Sequence, residues 1–295
     1  SRGLGDVYKR QYLVFSSYCD LLFETSGLRH TGTGTVICTA GRGASMTQKI
    51  GTIADRVNNR LVRYFPGPTA RIETSEPIVS FTFDDVPASA WTSGARILEN
   101  ENVRGTFYIS GVFIGRQADP QDMISARGCS ELATAGHELA CHTYSHRKLS
   151  SFSRRGLEED LDRNEKVLAS FDENGHRRNF STPFGMASPL MQPMLRRRFR
   201  TARGIMPGIN RGSIDPHNLA AVELRPDPNY LDAADRWLDD VLQNGGWLVI
   251  FTHDVSSAPS FYGCPEDRFQ GFVRKAASGG AKVMTVDAAV TALGL

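Results

Sequence analysis

From Pro77 onward the chain alternates short apolar runs with amphipathic stretches, and that alternation limits the fold more than any other feature. The apolar runs are IVSFTF (78–83), GTFYIS (105–110), HELAC (137–141), NFSTP (179–183), LAAVEL (219–224), WLVIFTH (247–253) and KVMTV (282–286). Helical spacing of apolar residues fills most of the gaps, at 88–100, 154–171, 187–200, 231–243 and 265–277. The last of these opens on Pro265, Glu266 and Asp267, a favourable first turn because proline needs no amide partner there and the acids face the helix dipole. Alternating strands and helices make a parallel sheet covered by helices, and seven strands predict an α/β barrel, open or distorted. Enzymes built on such sheets place their sites at the carboxyl ends of the strands.

Composition removes several other classes. With 295 residues, 40% hydrophobic and 22% charged, the chain has enough apolar mass for a sizeable core and is not a disordered polymer. No apolar stretch approaches the roughly 18 residues that span a bilayer, and no 20- to 50-residue repeat is present. The first 45 residues read differently: 31–45 is mostly Gly, Thr, Ser and Ala, and the apolar run at 12–23 is interrupted by Ser16, Ser17 and Asp20. We expect 1–45 to be a disordered or non-native leader, and 46–295 to be one domain with its core motifs at 77–290. No secretory signal is recognisable in the leader, which makes the cytoplasm the default expectation. Of the 34 basic and 32 acidic residues, five and three fall in the leader, so 46–295 carries 29 of each. A neutral domain gives no reason to expect nucleic acid. Cys129, Cys141 and Cys264 remain in it, too few and too widely spaced for a disulfide framework or a cysteine zinc site, although a single Cys129–Cys264 bridge stays open.

The strand ends carry unusual polar residues. Asp84 and Asp85 follow the first run, and on a strand they point to opposite faces, so one can be a ligand and the other a free base. Alone, such a pair is as well read as a helix cap beside a surface acid. Pro87 biases Val86 toward extended backbone. His142 and His146 follow the third run at i, i+4, which on one helical turn brings both imidazoles to the same side at a separation suited to one metal ion. His253 ends the sixth run, on the same rim.

FTFDD at 81–85, HTYSH at 142–146, STPFG at 181–185 and IFTH at 250–253, in this order, resemble the motifs of the polysaccharide deacetylases of the NodB-homology type, carbohydrate esterase family four. The resemblance runs from about Pro77 to Thr285. It implies a distorted seven-stranded (β/α) barrel holding one divalent metal through Asp85, His142 and His146. Zinc is the first expectation, with cobalt, nickel, manganese or iron also suited to such ligands. It further implies Asp84 as general base and His253 as general acid, with a metal-bound water attacking an acetyl carbonyl. The N–H of Phe184, aimed by the rigid Pro183 and followed by Gly185, would share the oxyanion with the metal.

The chain departs from that pattern at two places. Ser181 stands where the family usually has the arginine that pairs with the base, and no Asp and Trp element is recognisable between 201 and 230. The acid's usual Asp partner is therefore unassigned. Arg196, Arg197, Arg198, Arg200 and Arg203 read as a solvated helix face, with Arg203 the one member placed to replace the missing arginine. Trp91, Trp237 and Trp247 read as packing residues. The expected activity is removal of N-acetyl or O-acetyl groups from a glycan or a related small substrate. A hydrolase of non-sugar amides on the same scaffold and a catalytically silent carbohydrate-binding relative are the alternatives. The sequence does not specify an oligomeric state.

Overall fold

Eight residues in one run, Pro77–Asp84, have no side chain that faces water fully, as a strand enclosed on both faces requires. This is β2, the middle of the fold in the computed structural model, which describes residues 53–117, 121–172 and 179–295. The leader expected at 1–45 lies outside the described residues. The strands are β1 (Ala70–Ile72), β2 (Pro77–Asp84), β3 (Thr106–Ile109), β4 (Glu138–Cys141), β5 (Asn179–Ser181), β6 (Thr201–Arg203), β7 (Gly212–Ile214), β8 (Val222–Glu223), β9 (Gly246–Thr252), β10 (Val255–Ser256), β11 (Cys264–Pro265) and β12 (Lys282–Val283). The helices are α1 (Ile53–Tyr64), α2 (Arg96–Asn100), α3 (Ala126–Thr134), α4 (Arg154–Ala169), α5 (Gln192–Arg198), α6 (Pro228–Asn244), α7 (Glu266–Ser278) and α8 (Val286–Ala292).

The main sheet runs β6-β5-β4-β3-β2-β9-β8 with every pair parallel, and β12 adds to the first half of β2. Leu219, just before β8, bridges Arg203 of β6, and two backbone hydrogen bonds of 3.0 Å secure the seam. The sheet is thereby curled into the distorted (β/α) barrel expected from the alternation. Its path has the seven strands expected, with β12 as an eighth beside β2; one member of the path, TAR at 201–203, is a strand hidden at the end of an arginine-rich segment. The run at 219–224 pairs as a ladder only at Val222–Glu223. The run at 282–286 stops at Val283, since Thr285 caps α8 by accepting from the Ala288 N–H at 3.2 Å.

The helical segments depart in detail. Gly94 lies where an added Cβ would meet the Phe83 ring at 2.7 Å, and around it 88–100 opens with a π turn at Ala90–Ala95 before α2 begins. Helices α1, α3 and α8 lie outside the expected segments. Of the arginine cluster only Arg197 is exposed as expected of a solvated face. Arg196 pairs with Asp215, Arg198 with Asp162 and Glu165, Arg200 with Asp287, and Arg203 enters the barrel. Cys129, Cys141 and Cys264 are free and buried, which removes the Cys129–Cys264 bridge. Trp247 is enclosed, with its indole N–H donated to Ser80 Oγ at 3.0 Å.

Register and period-two alternation decide what fills the barrel. Ile78, Ser80, Thr82 and Asp84 share a face with Trp247, Val249 and Phe251, their neighbours on β9. Continuing across β3 to β6, the same face carries Thr106 and Tyr108, Glu138 and Ala140, then Asn179 and Ser181, then Thr201 and Arg203. Val79, Phe81 and Phe83 point the other way, into a core under the helices, where Phe83 stacks on Phe107 at 4.6 Å and Phe269 of α7 closes on both Phe81 and Phe83 at 5.5 Å.

Low in the barrel, four polar residues form one network. Glu138 accepts from Thr106 Oγ1 at 2.8 Å, Asn179 Nδ2 at 2.7 Å and the Asp287 N–H of α8 at 2.9 Å, while Thr201 Oγ1 donates to Asn179 Oδ1 at 2.6 Å. The Glu138 carboxyl is raised by burial, which these three donors oppose. The network fastens α8 under β3, β4, β5 and β6. Glu138→Ala leaves three enclosed donors unmatched and should cost on the order of 3 kcal/mol. In a domain of this size that lowers the melting temperature by roughly 6–12 °C. Thermal unfolding followed by circular dichroism checks this, and an unchanged midpoint would remove the network from the account of stability.

Candidate active site

The inward-facing parity set by β2, β4, β5, β6 and β9 carries Asp84, His142, Ser181, Arg203 and His253 to one rim of the barrel. Asp85 has the wrong parity. The backbone corrects this by leaving the strand: Asp85 has φ +60° and Val86 φ +56°. The extended backbone expected for Val86 is therefore absent, and a buried β-branched residue in the left-handed region costs about 1–3 kcal/mol. Hydrogen bonds from Val86 N–H to the Asp84 carbonyl at 2.6 Å and from Ile124 N–H to the Val86 carbonyl at 3.0 Å hold the turn. Six non-glycine residues have positive φ among the described ones, and five of them, Asp85, Val86, Thr143, His146 and Phe184, lie in the turns after β2, β4 and β5. Strain is concentrated where the candidate site is.

His142 and His146 converge, but not on a helical turn. Thr143 and His146 have φ +63° and +48°, and the loop is shaped by acceptors. Asp160 of α4 accepts from the Tyr144 N–H at 2.7 Å and the Ser145 N–H at 3.3 Å, and Thr143 Oγ1 accepts from the His146 N–H at 3.1 Å. The ring centroids of the two histidines end 5.0 Å apart. The i, i+4 spacing thus pointed to the right pair through the wrong local structure.

Asp85, His142 and His146 each offer one ligand atom, and these atoms lie within 4.8 Å of one another. His142 Nδ1 meets the Ser181 carbonyl at 2.8 Å; a carbonyl only accepts, so Nδ1 carries a proton and Nε2 is the nitrogen left to act as a ligand. Burial pushes the His146 imidazole down to about 4, with Asp85 opposing and His142 adding to the effect, so this ring is neutral near pH 7. Asp85 Oδ1 is buried without a hydrogen-bond donor, 3.0 Å from His146 Nε2 and 3.6 Å from His142 Nε2. An unsatisfied carboxylate oxygen facing imidazole nitrogens is the donor set a divalent cation requires, and one carboxylate with two imidazoles leaves coordination positions open. Phe113 and Phe184 flank His146 at 5.2 and 4.5 Å and hold its ring in place.

Asp84 is enclosed beside this cluster. Burial raises its carboxyl, but Arg203, together with His142 and His253, reverses the shift and the net pKa is lowered. Arg203 donates through Nη2 to both Asp84 oxygens and to Ser181 Oγ, and Ser181 Oγ also lies 3.5 Å from Asp84 Oδ1. Ser181 and Arg203 are register partners on adjacent strands. The cation absent at 181 is therefore supplied from the same level, one strand over, and its guanidinium rests on Phe251 at 4.4 Å and Tyr108 at 5.3 Å.

His253 leaves β9 with its N–H donated to the Tyr262 carbonyl at 3.2 Å and its ring 5.3 Å from that of Tyr262. Its Nδ1 is buried with no hydrogen-bond partner among the described residues, so no carboxylate takes the place of the unassigned acid partner. Neighbouring Asp254 is committed elsewhere, accepting from the Ser260 N–H at 2.8 Å. Pro183–Gly185 forms a single tight turn in which Phe184, at φ +59°, is half exposed on the rim. Among site residues, Arg203 was foreshadowed by its charge, whereas Phe113, Asp160 and Tyr262 carry no sequence signal that separates them from ordinary loop and helix residues.

Comparison with known proteins bears on the family and the fold. Residues 71–197 match the family model for polysaccharide deacetylase. A chitooligosaccharide deacetylase of Azorhizobium caulinodans is 26% identical over 203 residues, 68% of this chain and 81% of that protein. A chitin deacetylase of Arthroderma benhamiae is 26% identical over 106 residues, 36% of this chain, and the match spans only 27% of that protein's length. Among solved structures, a family 4 acetyl xylan esterase from Clostridium thermocellum in complex with a cobalt ion superimposes with a TM-score of 0.52 at 19% identity, covering 74% of this chain and 92% of that one. At that identity the likeness speaks to the fold, which is the same curled parallel sheet. The matched residues 71–197, which carry Asp84, Asp85, His142, His146 and the Pro183–Gly185 turn, are similar to the polysaccharide deacetylase family.

Proposed function

We propose that this protein is a metal-dependent hydrolase that removes acetyl groups from an N-acetylated or O-acetylated glycan. The observation that carries the reading is the pairing of an orphaned Asp85 oxygen, set against two imidazole nitrogens, with an enclosed carboxylate, Asp84, kept ionised beside them. Asp85, His142 and His146 would hold one divalent ion, with zinc first among several suited metals. When bound, such an ion polarises a carbonyl and makes a water acidic enough to attack near neutral pH.

The remaining work falls to the chain. Asp84, ionised by its contact with Arg203, accepts the proton of the attacking water. The Phe184 N–H, set by the turn that Pro183 begins and Gly185 ends, donates to the developing oxyanion. His253 returns a proton to the departing amine or alcohol oxygen. The enclosure of Asp84 and His142 limits competing solvent at the reacting atoms. A carbohydrate-binding relative without catalysis needs neither an ionised, enclosed base nor an unsatisfied ligand oxygen. The likeness to deacetylases of chitin and its oligomers favours a glycan over a non-sugar amide.

Two measurements test the assignment of roles. Elemental analysis of the purified protein should find about one divalent metal per chain. Asp85→Ala should lose metal and acetate release together, whereas Asp84→Asn should keep the metal and lose roughly 10²-fold or more of the rate. An Asp84→Asn variant with full activity would reject the base. The pH profile tests Arg203. Asp84 must be ionised to act, and Arg203 lowers its pKa, so Arg203→Met should raise the acidic limb without changing metal content. Arg203→Lys, which keeps the charge, should move that limb less. A limb that stays in place in Arg203→Met would show that something else keeps Asp84 ionised.

A further inference from the structure

The strand end beside His253 holds a second cation that the reaction above does not use. On β8, Glu223 is the register partner of Phe251, and the pairing continues with the Leu224 N–H donated to the Phe251 carbonyl at 2.8 Å. Two residues past Glu223, Arg225 therefore has the same inward parity and the same level as His253, two residues past Phe251. Its guanidinium carbon lies 4.8 Å from the ring of Tyr230, 4.8 Å from Phe261 and 4.7 Å from Tyr262, and the Tyr262 ring is the one that also lies against His253.

Three aromatic rings around one guanidinium fix its plane before any ligand arrives, which removes much of the entropy cost of using its fork. Glu223 approaches it at the Nε edge, with Oε1 at 2.8 Å. Among the described residues the buried Nε makes this ion-pair contact without a well-aligned hydrogen bond. Glu223 thus balances the charge at the Nε edge and does not occupy the Nη1/Nη2 end, the pair of parallel donors that matches a carboxylate. The side chain is only 18% exposed, so an ion pair made there is screened less than one on an open surface. Phe261, 63% exposed, extends the aromatic wall outward along the same rim.

We propose that Arg225, set among Tyr230, Phe261 and Tyr262, is a specificity residue that binds a carboxylate carried by the substrate near the acetyl group to be removed. The substrate class is then an acetylated glycan containing an acidic sugar rather than a neutral homopolymer. This rests on the deacetylase reading, and the experiment separates the two.

The probes are diacetylchitobiose, the disaccharide in which one of its residues is N-acetylmuramic acid, and diacetylchitobiose oxidised to the carboxylate at C6. Binding is measured by calorimetry and turnover by acetate release, for the wild-type protein and for Arg225→Gln. The wild type should prefer at least one acidic probe over the neutral one. Arg225→Gln should lose that preference, weakening binding and kcat/KM for the acidic probe roughly 10- to 100-fold, the range for a charge-assisted pair, with the neutral probe within about twofold. The preference should also shrink as salt is raised. No preference in the wild type overturns the proposal whatever the variants do, and so does an Arg225→Gln protein that loses neutral and acidic probes equally. If Arg225→Gln does not fold, Arg225→Lys, which keeps the charge without the fork, should retain only part of the preference; full retention counts against the proposal. Acetate release from none of the probes, with an Arg225-dependent binding preference intact, would fell the deacetylase reading and leave the carboxylate subsite standing.

Discussion

The ion pair between Asp84 and Arg203 is the interaction on which the rest of the barrel's upper half depends. Both groups are enclosed, and neither charge could be left there alone: removing one partner of such a pair typically costs about 3–5 kcal/mol. The two residues sit on β2 and β6, separated in the sheet by β3, β4 and β5, so the contact crosses the barrel interior. It brings the seam at Arg203 and Leu219 into line with the rim, and Ser181, lying between, accepts from the same guanidinium. A single interaction thereby ties closure of the sheet to the ionisation of Asp84, the proposed base.

Around this pair, the barrel is divided by depth. Low down, neutral donors surround one raised carboxyl, Glu138, and hold α8 as a floor. High up, acids and imidazoles gather in turns whose backbone is strained at five non-glycine positions. The upper turns are held by hydrogen bonds from outside the site, such as Asp160 to the amides of Tyr144 and Ser145. Rigid support at a distance is what allows Asp85 to face the two imidazoles with no donor of its own, an arrangement suited to a cation and costly without one.

Much of this was legible in the sequence because parallel strands enclosed on both faces write themselves as apolar runs. IVSFTF, HELAC and WLVIFTH fixed where β2, β4 and β9 end, and hence the level of Asp84, His142 and His253. What failed was local geometry set by tertiary contacts. A helical turn was expected for His142 to His146, but the acceptors Asp160 and Thr143 impose left-handed residues instead. Val86 was expected to be extended before proline, but aiming Asp85 inward requires the opposite. Strand β6 was missed because its three residues, Thr201, Ala202 and Arg203, close an arginine-rich segment whose charges resolve into separate ion pairs only when the fold is known. Missing β6 also left the replacement for the absent cation at Ser181 as one option within a cluster, although register places Arg203 directly beside it.

The central claim is that Asp85, His142 and His146 make acetyl removal depend on a divalent ion. Acetate released from chitin oligomers by the protein should fall to background after treatment with a chelator that strips the metal. It should return on adding back about one equivalent of zinc or cobalt. Acetate release that persists in the stripped protein, with metal absent by elemental analysis, would contradict the account.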